Sequence, residues 1–339
     1  MSLTKQNNAI DAGEGSSSSS AAVATREIPA VLVDQRKSSL PSLLRFPLVA
    51  ILSFSISSLG YSFINEFTRG ELATVMRTLD TTREVNIMTA WRLAELALGW
   101  FANFDSVDLA ALNFLSHSPT FYLMTAFYNL SPKTALSGLA VDVAASFVPF
   151  LLLRSLSDAH KAASSTPNRE IILDRSIQLL SILLASFIYN VTLFLSYNIY
   201  LRPALVLYFE GIHTIEPSQN SLIILGTLAL ASGIAARTFI FTPLAATGRT
   251  EEDEKHAQFD AIDASLWETF WWNVWGYTTQ TKVGIVRTLA VVAVTGINTY
   301  VQCALTISGV DGQGAVAYSI VWAAAAFFAA VGLGFVGEV

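Results

Sequence analysis

The stretch IVWAAAAFFAAVGLGF, residues 320–335, carries no charged side chain and lies within a nearly continuous apolar run at 315–335. A helix of about 20 residues crosses the roughly 30 Å hydrocarbon layer of a membrane, so this run is long enough to span it. Five other runs share this length and character, at 46–64, 134–153, 177–197, 222–243 and 283–305. Six such segments in one chain predict an all-α bundle of transmembrane helices.

The overall composition supports the same class of protein. The chain has 339 residues, of which 53% are hydrophobic and 14% are charged, and its mean hydropathy is +0.49. Soluble domains carry about 25% charged residues, so a soluble fold of this length would lack the groups that cover a water-facing surface. The sequence therefore predicts a multi-spanning protein whose principal surroundings are the lipid bilayer.

Two further segments are weaker candidates, because 86–104 contains two charges and 111–130 contains the polar stretch LSHSPT. Lysine and arginine counts bear on both. If all eight segments span and the N-terminus is cytoplasmic, the cytoplasmic connections hold 12 basic residues and the opposite connections hold 5. Omitting one weak segment inverts this balance, and omitting both restores it. The positive-inside rule therefore favours eight spans, with six as the alternative, and places both termini in the cytoplasm.

Residues 1–40 have a different character from the rest of the chain. They include GEGSSSSSAA and DQRKSSLPS, which are polar, rich in serine and without helical periodicity. Such a segment buries too little apolar surface to offset the entropy lost on ordering. We expect a disordered cytoplasmic tail at 1–40, followed by a membrane domain at 41–339.

Two charges lie near the middle of the weak segment 86–104. Arg92 and Glu95 are three residues apart, which places them on one face of a helix. An arginine at the centre of a transmembrane helix costs about 2.5–3.5 kcal/mol on insertion, so this face must turn towards other helices or water. Three interpretations follow: a buried structural ion pair, an interfacial helix anchored by Trp91 and Trp100, or a substrate or ion site.

Asp142 is the other deeply placed charge, in the apolar sequence GLAVDVAASFVPF. Small residues surround it, and they allow another helix to approach closely. Arg92 is its obvious partner, and the alternative is that the buried Asp142 carboxyl is protonated. The sequence therefore predicts an intramembrane polar cluster of Arg92, Glu95 and Asp142.

Other polar residues in the apolar segments have more ordinary explanations. Arg237 and Arg287 lie close to the predicted cytoplasmic ends of their helices, where long side chains reach the headgroups. Asn190, Asn298 and Gln302 are uncharged and are expected to hold helices together by hydrogen bonds.

Sequence motifs for catalysis or cofactor binding are absent. The four histidines form no HExxH pattern, and neither a Walker A loop nor a GxSxG motif occurs. A single cysteine, Cys303, excludes a disulfide within the monomer. No long basic tract indicates a nucleic-acid partner. We therefore predict no catalytic residue, no cofactor and no metal site.

The connection at 244–283 is the most distinctive part of the chain. It contains TGRTEEDEKHAQFDAIDASLWETFWWNVWGYTTQTK, in which Thr250 and Asp253 have the spacing of a helix N-terminal capping pair. A helix that began there would align Trp267, Trp271 and Trp275 in one stripe. We expect an acidic, solvated first half and an aromatic second half at the membrane–water interface. This loop is then a membrane-surface anchor or, alternatively, a docking site for a protein partner.

Three classes of function remain open from the sequence. The first is transport of a small solute or ion through the polar cluster. The second is a non-catalytic membrane organiser or accessory subunit. The third is a membrane-embedded enzyme acting on lipid, which ranks last because no converging set of catalytic groups is present. A water-accessible cavity lined by Arg92 and Asp142 would favour transport over the organiser.

Overall fold

The computed structural model describes residues 41–214, 219–260 and 264–337, so the predicted tail at 1–40 lies outside the described residues. Regular structure in these ranges is helical, which confirms the all-α prediction for them. The helices are α1 (Ser42–Phe67), α2 (Glu71–Val75), α3 (Thr82–Phe101), α4 (Ser106–Phe127), α5 (Pro132–Leu153), α6 (Asp158–Lys161), α7 (Arg169–Leu173), α8 (Arg175–Ser196), α9 (Arg202–Tyr208), α10 (Gln219–Ala236), α11 (Thr242–Ala245), α12 (Glu251–Ala257), α13 (Leu266–Trp275), α14 (Thr279–Thr306) and α15 (Gly312–Gly337).

Six of these segments are long and apolar enough to cross a membrane, as the six strong runs in the sequence predict. They are Leu44–Phe67, Pro132–Leu153, Arg175–Tyr208, Ile223–Ala245, Thr279–Thr306 and Gly312–Gly337. Large apolar side chains such as Leu59, Phe63 and Phe187 are more than two-thirds exposed on their outer faces. Such surfaces are stable against lipid rather than against water.

Local capping signals determine where α3 and α4 begin. Thr81 and Glu84 form a capping box at the start of α3, in which each side chain binds the other residue's backbone N–H. Asp105 and Asp108 form the same arrangement at the start of α4. A capping box supplies acceptors for the free N–H groups of the first turn. Both helices therefore start several residues before the apolar segments that the sequence indicated.

Two π-helical turns extend the spanning segments. The turn Tyr197–Leu201 joins α8 to α9, so the helix runs to Tyr208. The prediction of a span ending at residue 197 is therefore wrong, because the π turn continues the helix into α9 despite Pro203. A second π turn, Arg237–Phe241, joins α10 to α11.

Hydrogen bonds between helix termini define two ends of the bundle. The near end comprises residues 41–46, 99–108, 154–175, 237–260, 264–283 and 334–337. There, Arg154 Nη2 donates to the carbonyl oxygen of Trp100 at 2.8 Å, which joins the end of α3 to the end of α5. Gln280 Nε2 donates to the carbonyl oxygens of Leu244 and Gly337, at 3.2 and 2.8 Å, and so connects three further helix termini.

The far end comprises residues 65–85, 127–134, 208–214 and 305–312. The Arg77 backbone N–H donates to the carbonyl oxygen of Thr306 at 2.9 Å, which links the segment before α3 to the end of α14. The His213 N–H donates to the carbonyl oxygen of Phe127 at 3.0 Å, at the end of α4. Both weak segments are therefore helices that run between the same two ends as the six apolar ones.

Helix α4 occupies the centre of the bundle. Of its 22 residues, 17 are buried, and it packs against α5, α10 and α14. Gly138 on α5 permits a close approach, since a Cβ atom there would lie 2.5 Å from the Phe121 ring. The moderate hydropathy of α4 is compatible with this central position, because its polar side chains face other helices rather than lipid.

Candidate functional site

The Arg92 guanidinium lies between α1, α3, α4 and α5, with a side chain only 14% exposed. Its Nη1 donates to Glu95 Oε2 at 3.4 Å and to Asn113 Oδ1 at 3.1 Å. Its Nη2 donates to Ser53 Oγ and to the backbone oxygen of Asp142, both at 3.4 Å. One guanidinium therefore connects four helices through long hydrogen bonds.

The structure brings the three sequence-predicted residues together, but their pairing is unequal. Glu95 supplies the carboxylate that faces Arg92, whereas Asp142 offers Arg92 only its backbone carbonyl. The Asp142 carboxylate instead accepts a hydrogen bond from the Tyr61 hydroxyl at 2.9 Å. Of the two predicted ion pairs with Arg92, only the pair with Glu95 is present among the described residues.

A second set of hydrogen bonds lies beside this cluster. The Trp91 indole N–H donates to Asn298 Oδ1 at 2.9 Å, and Asn298 Nδ2 donates to the Ser116 carbonyl oxygen at 2.8 Å. Gln302 Nε2 also donates to Asn298 Oδ1, at 3.3 Å. The contacts of Asn298 with Trp91 and Ser116 join α3, α4 and α14, which is the helix-linking role that the sequence indicated for Asn298. Gln302, by contrast, contacts a residue of its own helix.

One atom of the cluster lacks a partner. Glu95 Oε1 is buried and accepts no hydrogen bond from the described residues. A buried carboxylate oxygen without a donor loses the hydration that it would have in water, so it destabilises the fold unless a proton or a water reaches it.

Five cavities along the described residues have volumes of 120–570 Å³, and Arg92, Glu95 and Asp142 line none of the five. One of these cavities measures 290 Å³ and lies between α4, α5 and α10. Its walls are almost entirely apolar and include Phe121 and Leu139. These three charged residues are therefore in contact with other protein groups rather than with any of these cavities.

Arg287 forms a second polar centre, at the near end. Its Nη1 and Nη2 bind Asp108 Oδ1 and Oδ2 at 2.6 and 3.0 Å, and Nη1 also donates to the Phe239 carbonyl oxygen at 2.6 Å. The guanidinium also lies 5.0 Å from the ring centres of Phe104 and Phe239. The expectation that Arg287 reaches the headgroups is wrong, because a carboxylate inside the bundle satisfies the guanidinium in bidentate geometry.

His160 joins the same centre from α6. Its Nδ1 lies 2.7 Å from Asp105 Oδ2, and its Nε2 lies 3.3 Å from the Thr238 carbonyl oxygen. Burial disfavours the imidazolium, but the hydrogen bond to Asp105 and the charge of Asp108 outweigh burial and raise the pKa of His160. When protonated, the imidazole ring can donate from both nitrogens, to the Asp105 carboxylate and to the Thr238 carbonyl oxygen.

Asp105 accepts hydrogen bonds through both of its carboxylate oxygens. The N–H groups of Val107 and Asp108 bind Oδ1 at 2.9 and 2.8 Å, and Ser157 N–H binds Oδ2 at 2.9 Å. Burial alone would raise the pKa of Asp105, but the hydrogen bonds from His160 and from the backbone hold it well below its ordinary value.

The π turn supplies the carbonyl acceptors of this centre. Residues Thr238 and Phe239 lie within Arg237–Phe241, where the i→i+5 pattern leaves carbonyl oxygens available to other donors. The capping spacing of Asp105 and Asp108 is the one local signal of the centre in the sequence. Neither Arg287 nor His160 has a sequence neighbour that reveals its partner.

Asp105, Asp108 and His160 also place three potential metal-ligand atoms within 4.8 Å of one another. Their donor set does not fit a cation. Each of the four carboxylate oxygens already accepts an N–H, and the permanent positive charge of Arg287 lies in bidentate contact with Asp108. The arrangement is a neutralised ion-pair network that connects α4, α6, α14 and the π turn.

The loop at 244–283 folds differently from the sequence prediction. Thr250 and Asp253 cap α12 as predicted, with Thr250 N–H donating to Asp253 Oδ2 at 2.8 Å. The helix ends at Ala257, however, and the tryptophans belong to a separate helix, α13, with its own capping box of Ser265 and Glu268. The prediction of a single helix is therefore wrong, because this second capping box starts a new helix.

The N–H groups of Thr250 and Thr279 bind Asp253, and Thr279 does so at 2.6 Å. These backbone hydrogen bonds lower the pKa of Asp253 to about 2. The charged carboxylate thus links the start of α12 to the start of α14.

No protein-family model, no curated protein and no solved structure matches this chain.

Proposed function

We propose that this chain is a non-catalytic membrane organiser whose buried charges join helices and whose exposed near-end surface makes its external contacts. The observation that supports this proposal is the environment of Arg92. Its guanidinium is directed at Glu95, Asn113, Ser53 and the Asp142 backbone, and it lines none of the five cavities. A solute pathway would require those groups to face water or substrate.

Eight spans with a cytoplasmic near end form part of this proposal. Helices α3 and α4 have 20 and 22 residues, enough to cross the roughly 30 Å apolar layer. With eight crossings, the basic residues of the connections divide 12 to 5 in favour of the near end.

Single cysteines test the topology in a background that lacks Cys303. Ser164 and Asn103 are exposed at the near end, and Ser308 is exposed at the far end. We expect an impermeant thiol reagent outside intact cells or right-side-out vesicles to label Ser308→Cys but neither of the other two. In a six-span arrangement without α3 and α4, Asn103→Cys would be labelled together with Ser308→Cys. Labelling of Ser164→Cys without labelling of Ser308→Cys would mean that the orientation is the reverse of the one proposed.

Complementation tests the organiser itself. In cells that lack the native gene, we expect Arg92→Leu/Glu95→Leu to restore the wild-type phenotype at normal membrane abundance, because the pair is structural. Leu266→Ser/Trp267→Ser, on the exposed face of α13, should be equally abundant and fail to restore it. If the charge-free variant is abundant but inactive, the buried pair takes part in function and the organiser proposal is wrong.

Proton-coupled transport is the second candidate, favoured by one observation. Glu95 Oε1 is buried without a donor, and a carboxylate in that position can hold and release a proton. Purified protein in liposomes with an internal pH-sensitive dye would report proton movement under a membrane potential. A proton flux that Glu95→Gln abolishes would support transport. Dye signals equal to those of empty liposomes would exclude proton conduction in the absence of a co-transported solute.

A further inference from the structure

An aromatic groove of about 570 Å³ lies between α12 and α13 at the near end. Phe259 and Trp272 form one wall, stacked with ring centres 5.0 Å apart and planes inclined by 12°. Trp271 and Trp275 line the groove from successive turns of α13. Three indole rings and a phenyl ring therefore surround one open space.

Charged groups lie at two sides of this aromatic surface. Glu268 and Asp260 bring carboxylates to the groove wall. Lys282 Nζ lies 3.3 Å from His256 Nε2, and both residues also line the groove. The groove therefore combines aromatic faces, negative charge and a separate ammonium group, which suits a ligand that carries a cation and an anion.

The other face of α13 is apolar and uncovered. Leu266 is 92% exposed and Trp267 is 66% exposed, and Phe270 and Val274 lie on the same side of the helix. No neighbouring helix covers this face within 41–214, 219–260 and 264–337. Tryptophan and neighbouring apolar groups favour the membrane interface, so insertion of this face would hold the groove at the level of the lipid headgroups.

We infer that this groove binds the phosphocholine headgroup of a membrane phospholipid. The quaternary ammonium lies against the indole faces of Trp271, Trp272 and Trp275, which attract a cation by their π-electron density. The carboxylate of Glu268 adds attraction of the same sign. The phosphate is directed at Lys282, which donates to its oxygens.

Surrounding charge favours a zwitterionic lipid over an anionic one. Helix α12 begins with Glu251, Glu252, Asp253 and Glu254, so the approach to the groove is negatively charged. Phosphatidylethanolamine carries the same phosphate, but its primary ammonium is more strongly hydrated and has no methyl groups to cover the rings. The groove should therefore select phosphatidylcholine.

Native mass spectrometry of the full-length protein tests this inference with an equimolar mixture of phosphatidylcholine, phosphatidylethanolamine and phosphatidylglycerol of identical acyl chains. We expect phosphatidylcholine to be retained about two- to fivefold more than phosphatidylethanolamine, as a solvent-accessible cation–π contact allows. Phosphatidylglycerol should be retained least. Equal retention of all three lipids by the wild-type chain would overturn the inference.

Matched variants distinguish headgroup binding in the groove from non-specific lipid contact by the exposed face of α13. Trp271→Ala should remove the preference for choline, whereas Trp267→Ala, an exposed tryptophan outside the groove lining, should keep it. Glu268→Gln removes the charge but retains a residue type that serves in capping boxes, so α13 remains capped while choline selectivity falls. An unchanged preference in Trp271→Ala, or its loss in Trp267→Ala, would contradict the assignment.

Soluble phosphocholine distinguishes the two sources of this headgroup. We expect it to displace bound phosphatidylcholine only at concentrations far above those of the lipid, because the apolar face of α13 adds membrane contact that the free headgroup lacks. Displacement at equal concentration would assign the groove to free phosphocholine instead of lipid. These outcomes are independent of the complementation test, because retention of choline lipids can fail while the charge-free variant still restores the phenotype.

Discussion

Arg92 and Arg287 both lie between helices of the bundle, yet their surroundings differ in kind. Arg287 has one dominant partner, the Asp108 carboxylate, held by two hydrogen bonds of 2.6 and 3.0 Å. Arg92 shares its charge among four acceptors at 3.1–3.4 Å, of which one is a carboxylate. Rings of Phe104 and Phe239 also flank Arg287.

This difference indicates how each arginine is stabilised. Short bidentate bonds combine charge neutralisation with fixed geometry, so Arg287 holds α14 against α4 in one position. Longer hydrogen bonds to several helices are weaker individually and tolerate small displacements. The Arg92 cluster therefore joins α1, α3, α4 and α5 without fixing any one contact as tightly.

The largest effect is expected at the near end. Arg287→Met leaves the Asp108 carboxylate buried without its cation, which costs on the order of 3–5 kcal/mol in soluble proteins. Adding Asp108→Asn removes that charge and should recover much of the loss. Thermal unfolding in detergent measures both variants, with Arg83→Met, at an exposed position, as the control. An Arg287→Met protein as stable as this control would show that the pair contributes no net stability.

Arg92→Leu should have a smaller effect than Arg287→Met, because its contacts are longer. Loss of hydrogen bonds to a charged group costs about 1.5–3 kcal/mol. Arg92→Leu/Glu95→Leu should recover stability, whereas Arg92→Leu/Asp142→Asn should not, because the Asp142 carboxylate binds Tyr61 instead. The same thermal assay compares the two double variants. If thermal stability recovered with Asp142→Asn rather than with Glu95→Leu, then Asp142 rather than Glu95 would be the ion-pair partner of Arg92.

The near-end centre should also make stability depend on pH. A raised pKa at His160 contributes stability that is complete below the unfolded value of about 6.5 and is lost as pH rises through the folded value. The lowered pKa of Asp105 has the opposite effect on folding stability. Its contribution is complete above the unfolded pKa of about 3.9 and is lost as the pH falls below that value. Arg154 and Arg287 are the cations near these groups, and Asp108 is the remaining carboxylate.

We therefore expect the melting temperature to fall as pH increases from about 6 to 9. His160→Gln keeps a side-chain donor for Asp105 but does not titrate, so its melting temperature should vary less over this range. A wild-type melting temperature that rises across the same interval would contradict the direction of the His160 shift.

The smallest expected effect belongs to the uncharged hydrogen bonds beside Arg92. Trp91→Phe removes the indole donor to Asn298 and keeps most of the ring, which should cost about 0.5–1.5 kcal/mol. In this variant Asn298 Oδ1 still accepts a hydrogen bond from Gln302, and Asn298 Nδ2 still donates to the Ser116 carbonyl oxygen, so neither atom loses all of its partners. A loss as large as that of Arg92→Leu would mean that Trp91 contributes mainly by packing.

Most of the fold could be predicted from apolar run length, because lipid-facing helices must hide their backbone polar groups along their whole length. Segment boundaries were less accurate where a capping side chain or a π turn decided them. Thr81 and Asp105 begin helices in polar sequence, and the π turn Tyr197–Leu201 continues a helix beyond its apolar run. Hydropathy does not report either feature.

The candidate site shows a similar division. The Arg92–Glu95 pair could be predicted from spacing alone, because three residues separate neighbours on one helix face. Arg287 and Asp108 are 179 residues apart in the chain, and no local pattern connects them. The position of Arg287 near a helix end predicts headgroup contact, because position along a helix does not reveal that a carboxylate faces the side chain.

The shared hydrogen bonds of Arg92 have a consequence for biosynthesis on the ribosome, given the eight-span topology proposed above. When α3 enters the translocon, Ser53 and Glu95 are the only hydrogen-bond partners of Arg92 that have left the ribosome, whereas Asn113 and Asp142 follow later. An uncompensated arginine resists transfer into lipid by about 2.5–3.5 kcal/mol. Helix α3 should therefore remain near the translocon until α4 and α5 emerge, and these helices should enter the bilayer as a group.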